Sequence, residues 1–122
     1  MFTSEWLKQH LAKSSAPEVS VPRLTEQKEK EIHEFILMRC KSERWIALHG
    51  SMAHKTHRTP GEPDFVILAD GGKVILIECK AGNGKLSEDQ RDMVYWSNML
   101  GHTIHVVRSI AEADAVLKRN SK

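Results

Sequence analysis

Residues 61–81 read GEPDFVILADGGKVILIECKA, and this stretch decides the fold. Two apolar runs, 64–69 and 73–80, flank Asp70-Gly71-Gly72. That triplet is a hairpin signal, because glycine supplies the left-handed backbone that tight hairpin loops need. Both runs are apolar at consecutive positions, the pattern of central strands covered by helices on each side. The open end of the hairpin is nevertheless charged, with Asp64 opening one strand and Glu78 and Lys80 closing the other. Side chains alternate along a strand, so Glu78 and Lys80 share a face while the Cys79 thiol faces away into core packing. With a three-residue loop, Ala69 pairs with Lys73 and Asp64 falls opposite Glu78. A two-residue loop without a bulge would put the two carboxylates on opposite faces.

Carboxylates opposed across a buried sheet repel unless a cation lies between them or one binds a proton. Lys80 offsets one charge. A divalent ion with oxygen ligands, of the kind Mg²⁺ prefers, satisfies both. A plain Glu78–Lys80 ion pair at a solvated strand end is the simpler alternative.

Working outward, residues 25–41 have the spacing of a helix capped by Thr25, with Ile32, Phe35, Ile36 and Cys40 as its apolar stripe. A first strand is predicted over 44–49. Residues 3–13 suit a short helix with Trp6, Leu7 and Leu11 on one face. The following segment reads as a connector because Pro17 and Pro22 discourage regular structure. Beyond the hairpin, Ser87 caps a helix and Gln90 completes a capping box. That helix carries Met93, Val94, Trp96, Met99 and Leu100, and Gly101 is its stop. A strand over 103–107 and a closing helix over 110–119 complete the chain. The order is α-α-β-β-β-α-β-α, an α/β fold with a central mixed four-stranded sheet flanked by helices. The step from residue 80 to 107 is expected to be a right-handed crossover.

The 122 residues suit a single core, and 40% hydrophobic with 28% charged residues is a soluble, globular balance. No apolar run approaches a membrane span, and the first residues carry no signal-peptide pattern. Two cysteines, Cys40 and Cys79, read as free thiols, so a reducing cytoplasm is expected. The net charge of +2 is too small to announce a nucleic-acid protein. Between His49 and Arg58, however, there are only basic and neutral residues. Lys55 and Arg58 suit phosphate contacts there, whereas His54 and His57 have zinc-pair spacing without further ligands.

Gly61, Pro63, Asp64, Glu78, Lys80, Gly84, Leu86, Ser87 and Gln90 follow in order the pattern Gly-x-Pro-Asp, Glu-x-Lys, Leu-Ser-x-x-Gln. That pattern resembles the VRR-NUC (virus-type replication-repair nuclease) module of the PD-(D/E)xK nuclease superfamily, and the resemblance covers about residues 25–109. It implies a restriction-endonuclease-like core, with residues 1–22 as N-terminal helix and connector and 23–122 as the nuclease domain. It implies Mg²⁺ or Mn²⁺ held by Asp64, Glu78 and the Cys79 backbone carbonyl. Lys80 would be the catalytic lysine, and Gln90 would support the lysine and phosphate end of the site.

The family also supplies an acid from the first core helix. Glu26, Glu29 and Glu31 are available; Glu29 lies nearer the apolar stripe than Glu31 and is preferred, although His33 stands where the family often has glutamine. Ser51 resembles the serine loop of archaeal junction resolvases, and Lys85 and Arg91 join Lys55 and Arg58 as expected DNA contacts. The implied activity is metal-dependent hydrolysis of DNA phosphodiesters, on branched substrates such as Holliday junctions or flaps. A homodimer is expected, with Trp6 or the Trp96 helix at its interface, and neither a membrane nor a small-molecule cofactor is. A restriction-type or single-strand nuclease shares the chemistry, and a non-catalytic DNA-binding module shares the fold.

Overall fold

The computed structural model of the chain describes residues 20–50 and 59–121. The expected helix over 3–13, with Trp6, and the loop residues Ser51, His54, Lys55, His57 and Arg58 lie outside them. The described elements are α1 (Ser20–Glu43), β1 (Ile46–His49), β2 (Phe65–Leu68), β3 (Val74–Cys79), α2 (Glu88–Met99), β4 (Ile104–Val107) and α3 (Ile110–Arg119). The sheet order is β1-β2-β3-β4, with β3 and β4 parallel and the other pairs antiparallel. This is the mixed, helix-flanked sheet that the sequence pattern predicts.

Helix α1 starts at Ser20, five residues before the expected cap at Thr25. Pro22 falls in its first turn, where a missing N–H breaks no helical hydrogen bond, so the proline opens the helix rather than delaying it. At the other end Arg44 adopts φ +65°. Its N–H reaches Lys41 O at 3.2 Å, and Trp45 N–H reaches Cys40 O at 2.8 Å. This is a Schellman termination, unusual in using arginine where glycine is the common choice. Trp45 is buried, and its indole N–H donates to Asp70 Oδ2 at 2.9 Å, tying the helix end to the hairpin loop.

The loop Asp70-Gly71-Gly72 forms a single 3₁₀ turn with both glycines at positive φ. Ala69 N–H donates to Lys73 O at 2.8 Å, and the strand register runs Leu68↔Val74 to Phe65↔Ile77. One further step places Asp64 opposite Glu78, as a three-residue loop requires.

One sheet face packs under α1 and α3. Ile32, Ile36 and Cys40 of α1 and Ala113, Val116 and Leu117 of α3 bury Phe65, Ile67, Ile75, Ile77, Cys79 and Val107. Arg39 of α1 pairs with Asp114 of α3 across the top of this layer. The opposite face is only partly covered. Helix α2 lies beside β4, and among the described residues no helix covers Ile46, Leu48, Leu68 and Val74, which are exposed. None of the residues of α2 is buried. Among the described residues, no helix is long and apolar enough to cross a membrane.

Candidate active site

The charged end of the hairpin opens into a cleft of about 770 Å³ between α1 and the start of α2. Glu29, His33, Asp64, Glu78, Lys80 and Gln90 line it.

Glu78 is the buried acid of this group, 3% exposed, at the end of β3. Its carboxyl is raised to about 8: burial is the largest cause, the charge of neighbouring Asp64 adds to it, and Lys80 pulls it down. Glu78 Oε2 accepts from Gln90 Nε2 at 2.8 Å, but Oε1 is buried with no hydrogen-bond partner. A buried carboxylate oxygen without a donor favours either a proton or a cation beside it.

Asp64 lies one residue before β2, so its side chain is not held to the alternation of the strand. Its Oδ2 accepts the Cys79 N–H at 2.8 Å and lies 3.5 Å from His33 Nε2. The Cys79 side chain packs in the core with Ile75 and Ile77, as strand alternation predicts. Sγ, the Asp64 carboxylate and a His33 ring nitrogen lie within 4.8 Å of one another. The thiol both packs in the core and forms the floor of the cleft. Burial, followed by the charges of Asp64, Glu78 and Glu29, drives its pKa far upward and keeps it protonated. A neutral thiol is a poor ligand for a hard ion, so its role is packing.

The start of α2 is closed by its own cap and held to the site by a neighbouring turn. Ser87 Oγ accepts Gln90 N–H at 3.2 Å, and Gln90 Oε1 accepts Ser87 N–H at 2.8 Å, closing the capping box. Gly61, at φ +82°, packs on the same turn: a Cβ there would lie 2.3 Å from the Asp89 carbonyl oxygen. The Gly-x-Pro-Asp turn and the Leu-Ser-x-x-Gln helix start are therefore one packed unit. On the far side Arg108 donates to Gly84 O at 2.6 Å and to Gly82 O at 3.4 Å, bracing the glycine-rich loop after Lys80.

The VRR-NUC domain model matches residues 3–108 of the chain. The chain belongs to the VRR-NUC family, a family of nucleases. A solved structure described as a VRR-NUC domain shares the fold at a TM-score of 0.63 and 21% identity, covering 75% of this chain and 95% of its own. No curated protein matches.

Against the VRR-NUC pattern, Asp64, Glu78, Lys80 and Gln90 all come together in the cleft. Glu29 faces it as well, and its charge is felt at both Glu78 and Cys79. Glu31 is exposed and does not line the cleft, and the side chain of Glu26 lies outside the described residues. Gln90 contacts Glu78, where support of the lysine end was expected. Lys85 and Arg91 are exposed and do not line the cleft. Sequence reasoning gave no site role to His33 or Arg108. The signal for His33 was its place one helical turn after Glu29, on the same side of α1.

The donor set fits a divalent cation. The unpartnered Glu78 Oε1, the Asp64 carboxylate and Glu29 all line the cleft, and hard ions take such oxygen ligands.

Proposed function

We propose that this chain is a metal-dependent, structure-specific DNA endonuclease acting on branched DNA such as four-way junctions or flaps. The observation that carries this reading is the buried Glu78 with an unpartnered oxygen, set against Asp64 and beside Lys80. A core acid kept in this state stabilises nothing by itself, and a bound cation gives it a purpose.

Asp64, Glu78, the Cys79 carbonyl and Glu29 would hold Mg²⁺ or Mn²⁺. When bound, the ion supplies charge neutralisation at the scissile phosphate and acidifies water. Lys80 lines the cleft one residue past β3, and its charge acts on Glu78; there its ammonium can orient the attacking water and offset charge developing on the phosphate. Gln90 fixes the Glu78 carboxylate through Oε2 and leaves Oε1 for the ion. Lys85 and Arg91, both exposed, are suited to contacts with the DNA backbone, which position the substrate and carry no sequence code.

Paired cutting of a junction needs two sites, and hence a symmetric dimer. Tyr95, Trp96 and Met99 of α2 and Leu100 at its C-cap are exposed at helical spacing and support packing of a second copy there.

The test is a nicking assay on four-way, flap and linear duplex DNA in Mg²⁺, Mn²⁺ or EDTA. Cleavage of branched DNA only with metal is expected. Lys80→Ala should abolish it while leaving DNA binding largely intact. Equal cleavage by that variant overturns the mechanism, and preference for linear duplex favours a restriction-type enzyme. Sedimentation as a strict monomer, alone and on junction DNA, removes the dimer.

A further inference from the structure

We infer that His33 Nε2 is a direct ligand of the divalent ion, and that this nitrogen makes the site favour a first-row transition ion such as Mn²⁺ over Mg²⁺. The inference rests on the metal-dependent reading above and chooses between the ions that reading leaves open.

Three features of the cleft point to it. His33 Nε2 and Asp64 Oδ2 are 3.5 Å apart. That is long for a hydrogen bond between two such groups. It is close to the spacing of two neighbouring ligands on one ion, about 3 Å for octahedral bonds of about 2.1 Å. Second, the imidazole is held in place. Its ring meets Phe65 edge-on, with centroids 5.0 Å apart at 64°, and Phe65 is itself fully buried. Third, the same cleft holds Glu78 Oε1, buried and without a partner.

The donor set then sorts the ions. Mg²⁺ takes oxygen ligands almost exclusively, whereas imidazole suits first-row transition ions. Cys79, the third member of the cluster, is 1% exposed and packed in the core, whereas the His33 side chain is 35% exposed, so the softer donor open to an ion is the histidine.

The experiment uses the full chain, the metals alone and three proteins: wild type, His33→Gln and His33→Ala. Calorimetric titration measures Mn²⁺ and Mg²⁺ binding, and pulsed electron paramagnetic resonance of the Mn²⁺-loaded protein reports nitrogen coupling. Wild type should show nitrogen modulation, and both variants should lose it. Mn²⁺ binding should weaken at least about tenfold in both variants, with Mg²⁺ binding changed less than about threefold. Absence of nitrogen coupling in wild type overturns the inference, and this arm needs no variant to fold. Coupling that persists in both variants overturns it too, by assigning the nitrogen to another histidine. Equal weakening of both ions would make His33 a positioning residue for Asp64 and likewise overturns it. Mn²⁺ bound without nitrogen coupling removes only the histidine's part, whereas no Mn²⁺ binding at all removes the metal-dependent reading with it.

Discussion

Gln90 joins the cap of α2 to the acid at the end of β3: one side of its amide closes the box with Ser87, and the other donates to Glu78 Oε2 at 2.8 Å. The two duties separate by substitution. Gln90→Glu keeps an acceptor for the Ser87 N–H but replaces the donor with a second carboxylate beside Glu78. Its stability should stay within about 1 kcal/mol of wild type, while cleavage falls at least about tenfold. Gln90→Ala should lose both, with about 1 kcal/mol of stability lost with the cap. Denaturant unfolding and single-turnover nicking measure the two effects. Wild-type cleavage by Gln90→Glu would refute the coupling.

Glu78 gives the metal-free protein a pH dependence whose sign is fixed. Its folded pKa of about 8 lies above the ordinary glutamate value of 4.5, so the folded chain binds this proton more tightly than the unfolded chain. Its contribution to stability is complete below about pH 4.5 and is lost as pH rises through about 8. In EDTA, the difference in melting temperature between wild type and Glu78→Gln should therefore drift against wild type across that window. Divalent metal at pH 8 should restore wild type and leave the variant unmoved. A difference that stays flat with pH would refute the assignment.

Gly61→Ala should damage the site from outside it. The new methyl would meet the Asp89 carbonyl oxygen at 2.3 Å, on a backbone already at φ +82°. Relief requires the Gly-x-Pro-Asp turn and the first turn of α2 to separate, which moves Asp64 away from Glu78 and Gln90. Loss of about 1–3 kcal/mol is expected, with a greater proportional loss of cleavage than of DNA binding. A thermal melt and a binding isotherm alongside the nicking assay decide it.

Arg44→Gly should stabilise the fold. The left-handed conformation costs a non-glycine residue roughly 1–2 kcal/mol, and the extra chain entropy of glycine returns part of that. A net gain of about 0.5–1 kcal/mol in denaturant unfolding is expected, with cleavage unchanged. Destabilisation would mean that the arginine side chain does more than terminate α1.

The hairpin was legible because its information is local. Two glycines fix the loop, the loop fixes the register, and the register sets Asp64 against Glu78. Gly101 was legible as the end of α2 for the same reason, since a glycine at φ +91° closes that helix. Arg44 does the same work with a residue that carries no such signal, so the end of α1 was read only through the strand after it. The start of α1 was misplaced because proline breaks helices everywhere except in the first turn, and sequence alone did not show which turn Pro22 occupies. Strand alternation sends the Cys79 thiol into the core, but it does not govern Asp64 just before β2, so the approach of that carboxylate and His33 to the thiol is not written along the sequence. The contacts of His33 with Asp64 and of Arg108 with the 82–84 loop join elements far apart in the chain, and no pattern along the sequence reports them.

Helix α2 carries the residue that secures Glu78, yet it buries none of its own side chains. Elements anchored so lightly detach at a free energy well below that of global unfolding. Amide exchange in α2 should thus outpace exchange in α1 and the central strands. Each such opening frees Glu78 from Gln90 while the core stays intact, giving the site a resting state in which the fold survives and the acid is disarmed.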